Sequence, residues 1–419
     1  MNGPVLIQIG GAALVGLALA RGLGLATEAL LRARRQSRAR ALEIEELLQR
    51  VALARARREA AEQVQTAWNG WRKFEVARCA DEAEGIRSFY LRPHDGKPLP
   101  GFLPGQYLTL QFAVPGQPRP VVRCYSLSDA PHPDHYRITV KRVPPPPDRK
   151  GAAGGLVSNH LHRAVHVGSI LDVRAPAGQF VVDPLADRPL VLIGGGVGIT
   201  PLWCMLSALA ARGAARETWL FYGVRHGGEL VAGDDLRRLA REQSGFRLQL
   251  CFSDPRPEEA AGRDYDEHGR VTVELLRGRL PSNNYDFYLC GPPPMMGALR
   301  DGLRGWGVPD EHVHFELFGP ASVKRTAGEV TPAAEALEVV FERSGKRCSW
   351  TPAAGTLLEL AEANGVAIDC GCRAGNCGTC LVAVREGTVD YATPPGFAVE
   401  RGSCLTCVAR PAGRVVLDA

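Results

Sequence analysis

Little in this sequence is one-sided in charge. Its 419 residues carry 50 lysines and arginines against 45 aspartates and glutamates, a net charge of +5. Five arginines (Arg32, Arg34, Arg35, Arg38 and Arg40) fall in one short run, and the remainder is close to neutral. Nucleic-acid binders need a basic face or stripe on the folded body, so nucleic acid is excluded as the main partner. Cysteine is scarce over most of the chain, and six of the twelve crowd between Cys370 and Cys407. A secreted disulfide scaffold would be short and cysteine-dense throughout, and is excluded too. Clustered cysteines in a long chain read as metal ligands in a reducing compartment. No bulk shortage of apolar residues marks a disordered chain, since hydrophobic content is 45% and charged content 23%. The length suits two to four domains.

The N-terminus lacks charge. Pro4 to Ala20 has Gln8 as its one strongly polar side chain, and about 17 residues is the low end for crossing a bilayer. Arg21 would snorkel to one interface. The arginine run beyond it places the rest of the chain in the cytoplasm. Ala18-Leu19-Ala20 fits a signal-peptidase site, but the basic n-region of a signal peptide is missing. A buried or interfacial helix is the third reading. We expect a single-pass cell-membrane anchor and basic stretch at 1–40. A helical stalk is expected at 41–70, where Ile44, Leu47, Leu48, Val51, Ala54, Ala61, Val64 and Trp68 recur at helical spacing.

From Trp71 the hydrophobic period changes to two, with short runs between Pro/Gly turns, as in a small antiparallel barrel (71–187). From Pro189 buried strand-like runs (VLIGG, WLFYGV, LQLCFS, DFYLCG) alternate with helical stretches, which predicts a parallel α/β sheet (188–328). A last segment, 329–419, opens with LEVVF and holds the cysteine cluster.

Four local patterns carry chemistry. Cys372, Cys377, Cys380 and Cys407 have the C-x4-C-x2-C…C spacing of 2Fe–2S ligation. The pairs Cys377/Cys380 and Cys404/Cys407 would also suit zinc, although a zinc ribbon leaves Cys372 without a purpose. Arg123-Cys-Tyr125-Ser126 ends a barrel strand. Downstream come Val140-Lys141-Arg142 and then Gly154-Gly155-Leu-Val157-Ser158, where a helix begins directly after glycines and its free amides suit a pyrophosphate. Gly194-Gly195-Gly196-Val197-Gly198-Ile-Thr200-Pro201 reads as strand, glycine turn and helix start, with Thr200 as N-cap and Pro201 in the first turn. Its spacing is not GxGxxG, so the ordinary dehydrogenase fingerprint is absent. Cys290-Gly291-Pro292 closes a later strand, and Phe315-Glu316-Leu-Phe318-Gly319-Pro320 ends the α/β segment.

The cysteine segment, with Leu405-Thr406-Cys407 followed by Pro411, resembles plant-type ferredoxins. The other motifs resemble the ferredoxin–NADP reductase superfamily, with a barrel like that of flavohaemoglobin reductase modules. The domain order is similar to three-domain oxygenase reductases of the phthalate dioxygenase reductase and vanillate demethylase reductase type. Those relatives bind FMN, whereas the Gly155 helix start looks like the FAD type. The resemblance implies a multidomain fold: antiparallel β-barrel flavin domain, α/β parallel-sheet nucleotide domain and C-terminal β-grasp ferredoxin domain. It implies that Arg123 binds the flavin phosphate, Tyr125 packs by the isoalloxazine and Ser126 hydrogen-bonds its reactive nitrogen. Val140, Gly155, Val157 and Ser158 complete that site. Gly195, Gly196, Gly198, Thr200, Pro201, Gly291 and Pro292 would hold the nicotinamide dinucleotide, with Cys290 beside its hydride-donating carbon. Phe318 would cover the flavin and Glu316 position groups or deliver a proton. Cys370 and Cys404 fall outside the ligand set. His160 and His162 are read as surface helix residues.

The function implied is an NAD(P)H-dependent reductase passing electrons through flavin to 2Fe–2S and on to a protein acceptor, expected to be a membrane oxygenase, hydroxylase or desaturase. An NADH:quinone-type respiratory reductase is the nearest rival. It resembles a family that places its ferredoxin domain before the flavin domain, the reverse of this order. A non-enzymatic redox sensor is the reading from another class. After the strand WLFYG, an acidic residue would favour the ribose hydroxyls of NADH and Arg225 would suit a 2′-phosphate; relatives with an arginine here also use NADH, so both coenzymes stay open.

Overall fold

The computed structural model describes residues 68–419 apart from 118, 146–153, 214–215, 319–335, 376, 392–394, 396 and 398. The expected anchor, the arginine run and nearly all of the stalk, together with Gly319 and Pro320, lie outside the described residues. Among the described residues no helix is long and apolar enough to cross a membrane.

Period-two alternation folds as antiparallel sheet. β1 (Arg72–Ala83), β2 (Ile86–Pro93), β3 (Tyr107–Phe112), β4 (Val121–Ser126), β5 (Tyr136–Lys141) and β6 (Ile170–Ala177) are ordered β4-β3-β6-β1-β2-β5. A bridge from Leu127, just past β4, to Ile138 on β5 closes the ends into a barrel, which removes the exposed strand edges. Inward residues such as Phe74, Val76, Phe89, Leu91, Leu108 and Leu110 form its core. Gly85, at φ 67°, makes the tight β1–β2 turn that an L side chain would strain. Helix α1 (Leu156–Ala164) caps the barrel by burying Val157 and Leu161.

The second body alternates β7 (Leu190–Gly195), α2 (Ile199–Ala211), β8 (Thr218–Val224), α3 (Gly233–Glu242), β9 (Phe246–Phe252), β10 (Glu267–His268), α4 (Val273–Arg279), β11 (Asp286–Cys290), α5 (Pro293–Gly305) and β12 (Val313–Glu316). All six strands pair in parallel, in the order β10-β9-β8-β7-β11-β12. β7 is buried at every residue because a parallel sheet is covered on both faces. Successive strands step one way from β7 to β10, and β11 and β12 lie on its other side. The switch point therefore lies between β7 and β11, where open α/β sheets bind ligands beyond their carboxyl ends.

In the third body β13 (Leu337–Phe341), β14 (Lys346–Trp350), α6 (Leu357–Ala363), β15 (Leu381–Glu386), β16 (Val389–Tyr391), β17 (Ser403–Leu405), β18 (Ala409–Pro411) and β19 (Val415–Leu417) form a five-stranded sheet, β14-β13-β19-β15-β17, and a separate β16–β18 pair. β13 and β19 are parallel within an otherwise antiparallel sheet. Helix α6 starts with a full capping box, Thr356 and Glu359, which satisfies two orphan amides. Its Leu357, Leu360 and Ala361 pack on the sheet, giving a β-grasp core.

Candidate cofactor site

The three bodies meet at one cleft of about 370 Å³. The barrel contributes Arg123, Tyr125 and Ser126 from the end of β4, Val140 and Lys141 from β5, and Gly155, Val157 and Ser158 from the start of α1. The nucleotide domain adds Val197, Thr200, Glu316 and Phe318, and the ferredoxin domain adds Cys372. Eleven residues expected from sequence therefore share one cavity: Arg123, Tyr125, Ser126, Val140, Gly155, Val157, Ser158, Thr200, Glu316, Phe318 and Cys372. Gly195, Gly196, Gly198, Pro201, Arg225, Cys290, Gly291 and Pro292 lie off its wall.

Gly155 is the N-cap of α1. Ser158 Oγ donates to the Gly155 carbonyl at 3.1 Å and accepts from the Val143 amide at 3.3 Å, pinning the helix start to the segment after β5. A side chain at Gly155 would place Cβ 2.5 Å from Ser158 Oγ. His162 is not a bare surface residue: its Nε2 lies 2.8 Å from the Val140 carbonyl, to which the Nε2–H tautomer donates. This cradle of glycine, short hydroxyl and arginine fits a flavin bearing a phosphate chain.

Buried Ser126 donates from Oγ to Glu316 Oε2 at 2.9 Å. Glu316 is 6% exposed. Its carboxyl is pushed up to about 8, chiefly by burial; the Ser126 hydrogen bond opposes the rise and the Cys372 charge adds to it. A neutral acid thus sits beside Ser126 at physiological pH. On the register of β11 and β12, Cys290 pairs with Glu316. Cys290 is fully buried and its thiol is pushed well up by burial and by Glu316. It stands behind the cleft rather than on its wall.

The glycine loop differs from expectation in two respects. Helix α2 starts at Ile199 with Gly198 as N-cap, because a 3₁₀ turn over Gly196–Gly198 runs straight into it. Thr200 is therefore inside the helix and not its cap, and its Oγ1 donates to the Val197 carbonyl at 3.0 Å. The glycines also divide by role. A Cβ on Gly198 would stand 2.2 Å from the Cys290 carbonyl, and one on Gly195 would meet Pro292 at 2.7 Å. These two let β7 and β11 loops close on each other. A Cβ on Gly196, at φ 54°, would meet nothing within 4 Å, so its side faces open space. Arg225, beyond β8, is engaged by Glu229 Oε1. That carboxyl, 4% exposed, also takes Lys141 Nζ from the barrel at 2.8 Å. Burial disfavours its charge, but the two cations prevail and hold it at about 2.

The cysteine loop is gathered for metal. Cys372 is hydrogen-bonded with Cys377 and Cys407, and Cys380 with Cys407. Hydrogen bonds from Cys124, Cys377 and Cys407 pull the Cys372 thiol far down. Amides point at the sulfurs: Ala374 N–H donates to Cys372 Sγ at 3.4 Å and Cys372 N–H to Cys377 Sγ at 3.3 Å. Gly375 and Gly378, at φ 76° and 70°, shape that loop. Four thiols with amide donors on an irregular loop fit a 2Fe–2S cluster. Cys404 is turned away into the β-grasp core and fully buried, and Cys370 accepts from Arg373 at 3.3 Å. Sequence reasoning missed Cys124, whose Sγ lies with those of Cys372 and Cys377 in one group. Its signal was slight, a cysteine in the open position of Arg123-x-Tyr125-Ser126.

Comparison with known proteins agrees with this geometry. The oxidoreductase FAD-binding domain family matches residues 75–182, the oxidoreductase NAD-binding domain family 192–301, and the 2Fe-2S iron-sulfur cluster binding domain family 341–412. A flavohemoprotein of Halalkalibacterium halodurans is 40% identical over 269 residues, covering 63% of this chain and 63% of that protein. The chain thus spans under two thirds of such curated relatives. The flavohem-like FAD/NAD-binding domain of nitric oxide dioxygenase from Vibrio cholerae is 34% identical with TM-score 0.52, covering 59% of this chain and 99% of that one. Phthalate dioxygenase reductase, described as a modular structure for electron transfer from pyridine nucleotides to [2Fe-2S], is 26% identical with TM-score 0.51, covering 84% of this chain and 98% of that one. With flavin, nucleotide and cluster domains in that order and sharing one cleft, the chain belongs to the ferredoxin–NADP reductase superfamily, in its FAD-, NAD- and 2Fe–2S-domain form.

Proposed function

We propose that this protein is an NAD(P)H-dependent oxidoreductase that delivers electrons through FAD and a 2Fe–2S cluster to a protein acceptor. The observation that carries it is the shared cleft, where the flavin wall, the nucleotide loop and Cys372 of the cluster loop meet. When bound, the flavin accepts a two-electron hydride equivalent and the cluster handles single electrons. The chain's own residues supply placement. Arg123 and the amides at the start of α1 bind phosphate, and Tyr125 and Phe318 enclose the ring system. Ser126 and Glu316 hold a proton at its edge, within hydrogen-bonding distance of each other. Gly196 admits the dinucleotide backbone, and Cys372, Cys377, Cys380 and Cys407 hold the irons. The purified chain should contain FAD and two irons, and NAD(P)H under argon should bleach the flavin before the reduced-cluster EPR signal appears. A cluster that stays oxidised while the flavin is fully reduced would refute the electron path.

The uncharged run Pro4 to Ala20 and the arginines after it support a cytoplasm-facing membrane protein, and with that a membrane-associated oxygenase, hydroxylase or desaturase as acceptor. The full chain should resist carbonate extraction from membranes, and a chain lacking residues 1–40 should be soluble with unchanged NAD(P)H–ferricyanide activity. Recovery of the full chain in the soluble fraction would refute the anchor.

A further inference from the structure

One thiol lining the cleft has no role in the reading so far. Cys124 lies on β4 between Arg123 and Tyr125, so it is carried by the flavin-binding strand and faces the same cleft. Its Sγ and those of Cys372 and Cys377 all lie within 4.8 Å of one another. It is hydrogen-bonded to both of those sulfurs, and its Sγ is 3.4 Å from Thr109 Oγ1 on β3. The neighbouring backbone shows that the approach is built in. A Cβ on Gly371 would lie 2.9 Å from Cys377 Sγ and 3.2 Å from Val122 Cγ1, also on β4. The cluster loop is seated directly on the strand, and only glycine fits at its first position.

We propose that Cys124 is a fifth thiol of the cluster site, acting as an S–H donor to the Cys372–Cys377 ligand pair and not as a ligand. The assignment rests on the reading of Cys372, Cys377, Cys380 and Cys407 as ligands. Four thiolates would be the full set of protein ligands to a 2Fe–2S cluster, so a fifth thiol would have no place as a ligand. A cysteine thiol is a donor, though a weak one. Ala374 and Cys372 amides donate to the same sulfurs from within the loop; Cys124 adds a donor from a different domain. Donors to ligand sulfur stabilise the more negative, reduced cluster and raise its potential. Cys124 is therefore a positioning and tuning residue. It ties the cluster to the strand that holds the flavin and sets how readily the cluster accepts an electron.

The test uses the full holoprotein, with Cys124→Ala removing the donor and Cys124→Ser replacing it by a hydroxyl. Wild-type protein should contain two irons per chain; a wild type without iron overturns the ligand reading itself. Given that cluster, Cys124→Ala should keep both irons but shift the midpoint to more negative potential by about tenfold in the equilibrium constant, about 59 mV for one electron. Its reduced EPR g-values should change as well. Cys124→Ser should raise the midpoint above wild type, because an O–H donates more strongly than an S–H. A simple packing role predicts that both variants shift alike. Should Cys124→Ala fail to fold, Cys124→Ser alone decides, since a g-tensor and midpoint identical to wild type overturn the proposal. Loss of iron in Cys124→Ala with the other four thiols intact would make Cys124 a ligand, and overturn it too.

Discussion

Replacing Glu316 by glutamine tests the chemistry of the cleft most directly. The carboxyl is 6% exposed and has Ser126 Oγ 2.9 Å away. Burial lifts it from 4.5 to about 8, which corresponds to about 5 kcal/mol against the charged form. At pH 7 roughly nine molecules in ten then hold the neutral acid. The folded pKa is the raised one, so between pH 4.5 and 8 the folded protein keeps a proton that the unfolded chain releases. Stability contributed by the neutral acid is complete below 4.5 and is lost as pH rises through 8. Glutamine has nearly the shape of the neutral acid and keeps an oxygen to accept from Ser126, yet cannot ionise. Wild type and Glu316→Gln should therefore be equally stable near pH 4. They should diverge above it, the variant becoming more stable by up to about 5 kcal/mol at pH 9. Urea unfolding followed by tryptophan fluorescence at each pH reads this difference, and the rate of flavin reduction by NAD(P)H should lose its inflection near pH 8 in the variant. Parallel stability curves from pH 5 to 9 would refute the buried neutral acid, whatever the kinetics do.

Other sites make separate commitments. Cys407→Ser should abolish the cluster while flavin reduction and ferricyanide turnover persist and cytochrome c reduction collapses; Cys404→Ser, in the core, should leave iron content and both activities nearly intact. Gly198→Ala drives a Cβ to 2.2 Å from the Cys290 carbonyl and should cost about 3 kcal/mol or more by overpacking, read as a lowered unfolding midpoint in the nucleotide-free protein. Glu229→Gln removes the buried counter-charge shared by Arg225 and Lys141; it should cost about 2 kcal/mol and, by freeing Arg225, raise kcat/KM for NADPH relative to NADH. An unchanged coenzyme ratio would show that Arg225 does not face the ribose.

The motifs were legible because each is a short stretch whose chemistry is local. Arg123 to Ser126 is one strand end, Gly194 to Pro201 one turn, and Cys372 to Cys380 one loop. The barrel and the parallel sheet were legible because burial on one face or both leaves period-two alternation or unbroken apolar runs, as in β7. The helix start was misread because nothing in Gly196-Val197-Gly198 announces a 3₁₀ turn that carries α2 two residues further back. The packing role of Gly198 was hidden for a related reason: its neighbour is the carbonyl of Cys290, on another strand. Ser126 and Glu316 stand 190 residues apart, so the buried acid that their pairing creates exists only once barrel and sheet are docked. The signal of Cys124 was slight for the same reason, since Cys372 and Cys377 lie far along the chain.

The arrangement around β4 also explains why chain order and spatial order differ. The nucleotide domain lies between barrel and ferredoxin in sequence, yet Arg123 to Ser126 of the barrel, Val197 and Thr200 of the nucleotide domain and Cys372 of the ferredoxin all line one cleft. On the proposed electron path, hydride donor and cluster therefore use different residues of one flavin site. On the donor side Phe318 lines the cleft. On the acceptor side Gly371 is already in contact distance of β4, with no room for a side chain. Gly371→Ala tests that division, because its Cβ would meet Cys377 Sγ at 2.9 Å and Val122 at 3.2 Å and push the loop off the strand. Flavin reduction by NAD(P)H should be unaffected, whereas the subsequent appearance of the reduced-cluster EPR signal should slow at least severalfold. Equal slowing of both steps would mean that the contact is not confined to the cluster side, and that division would fall.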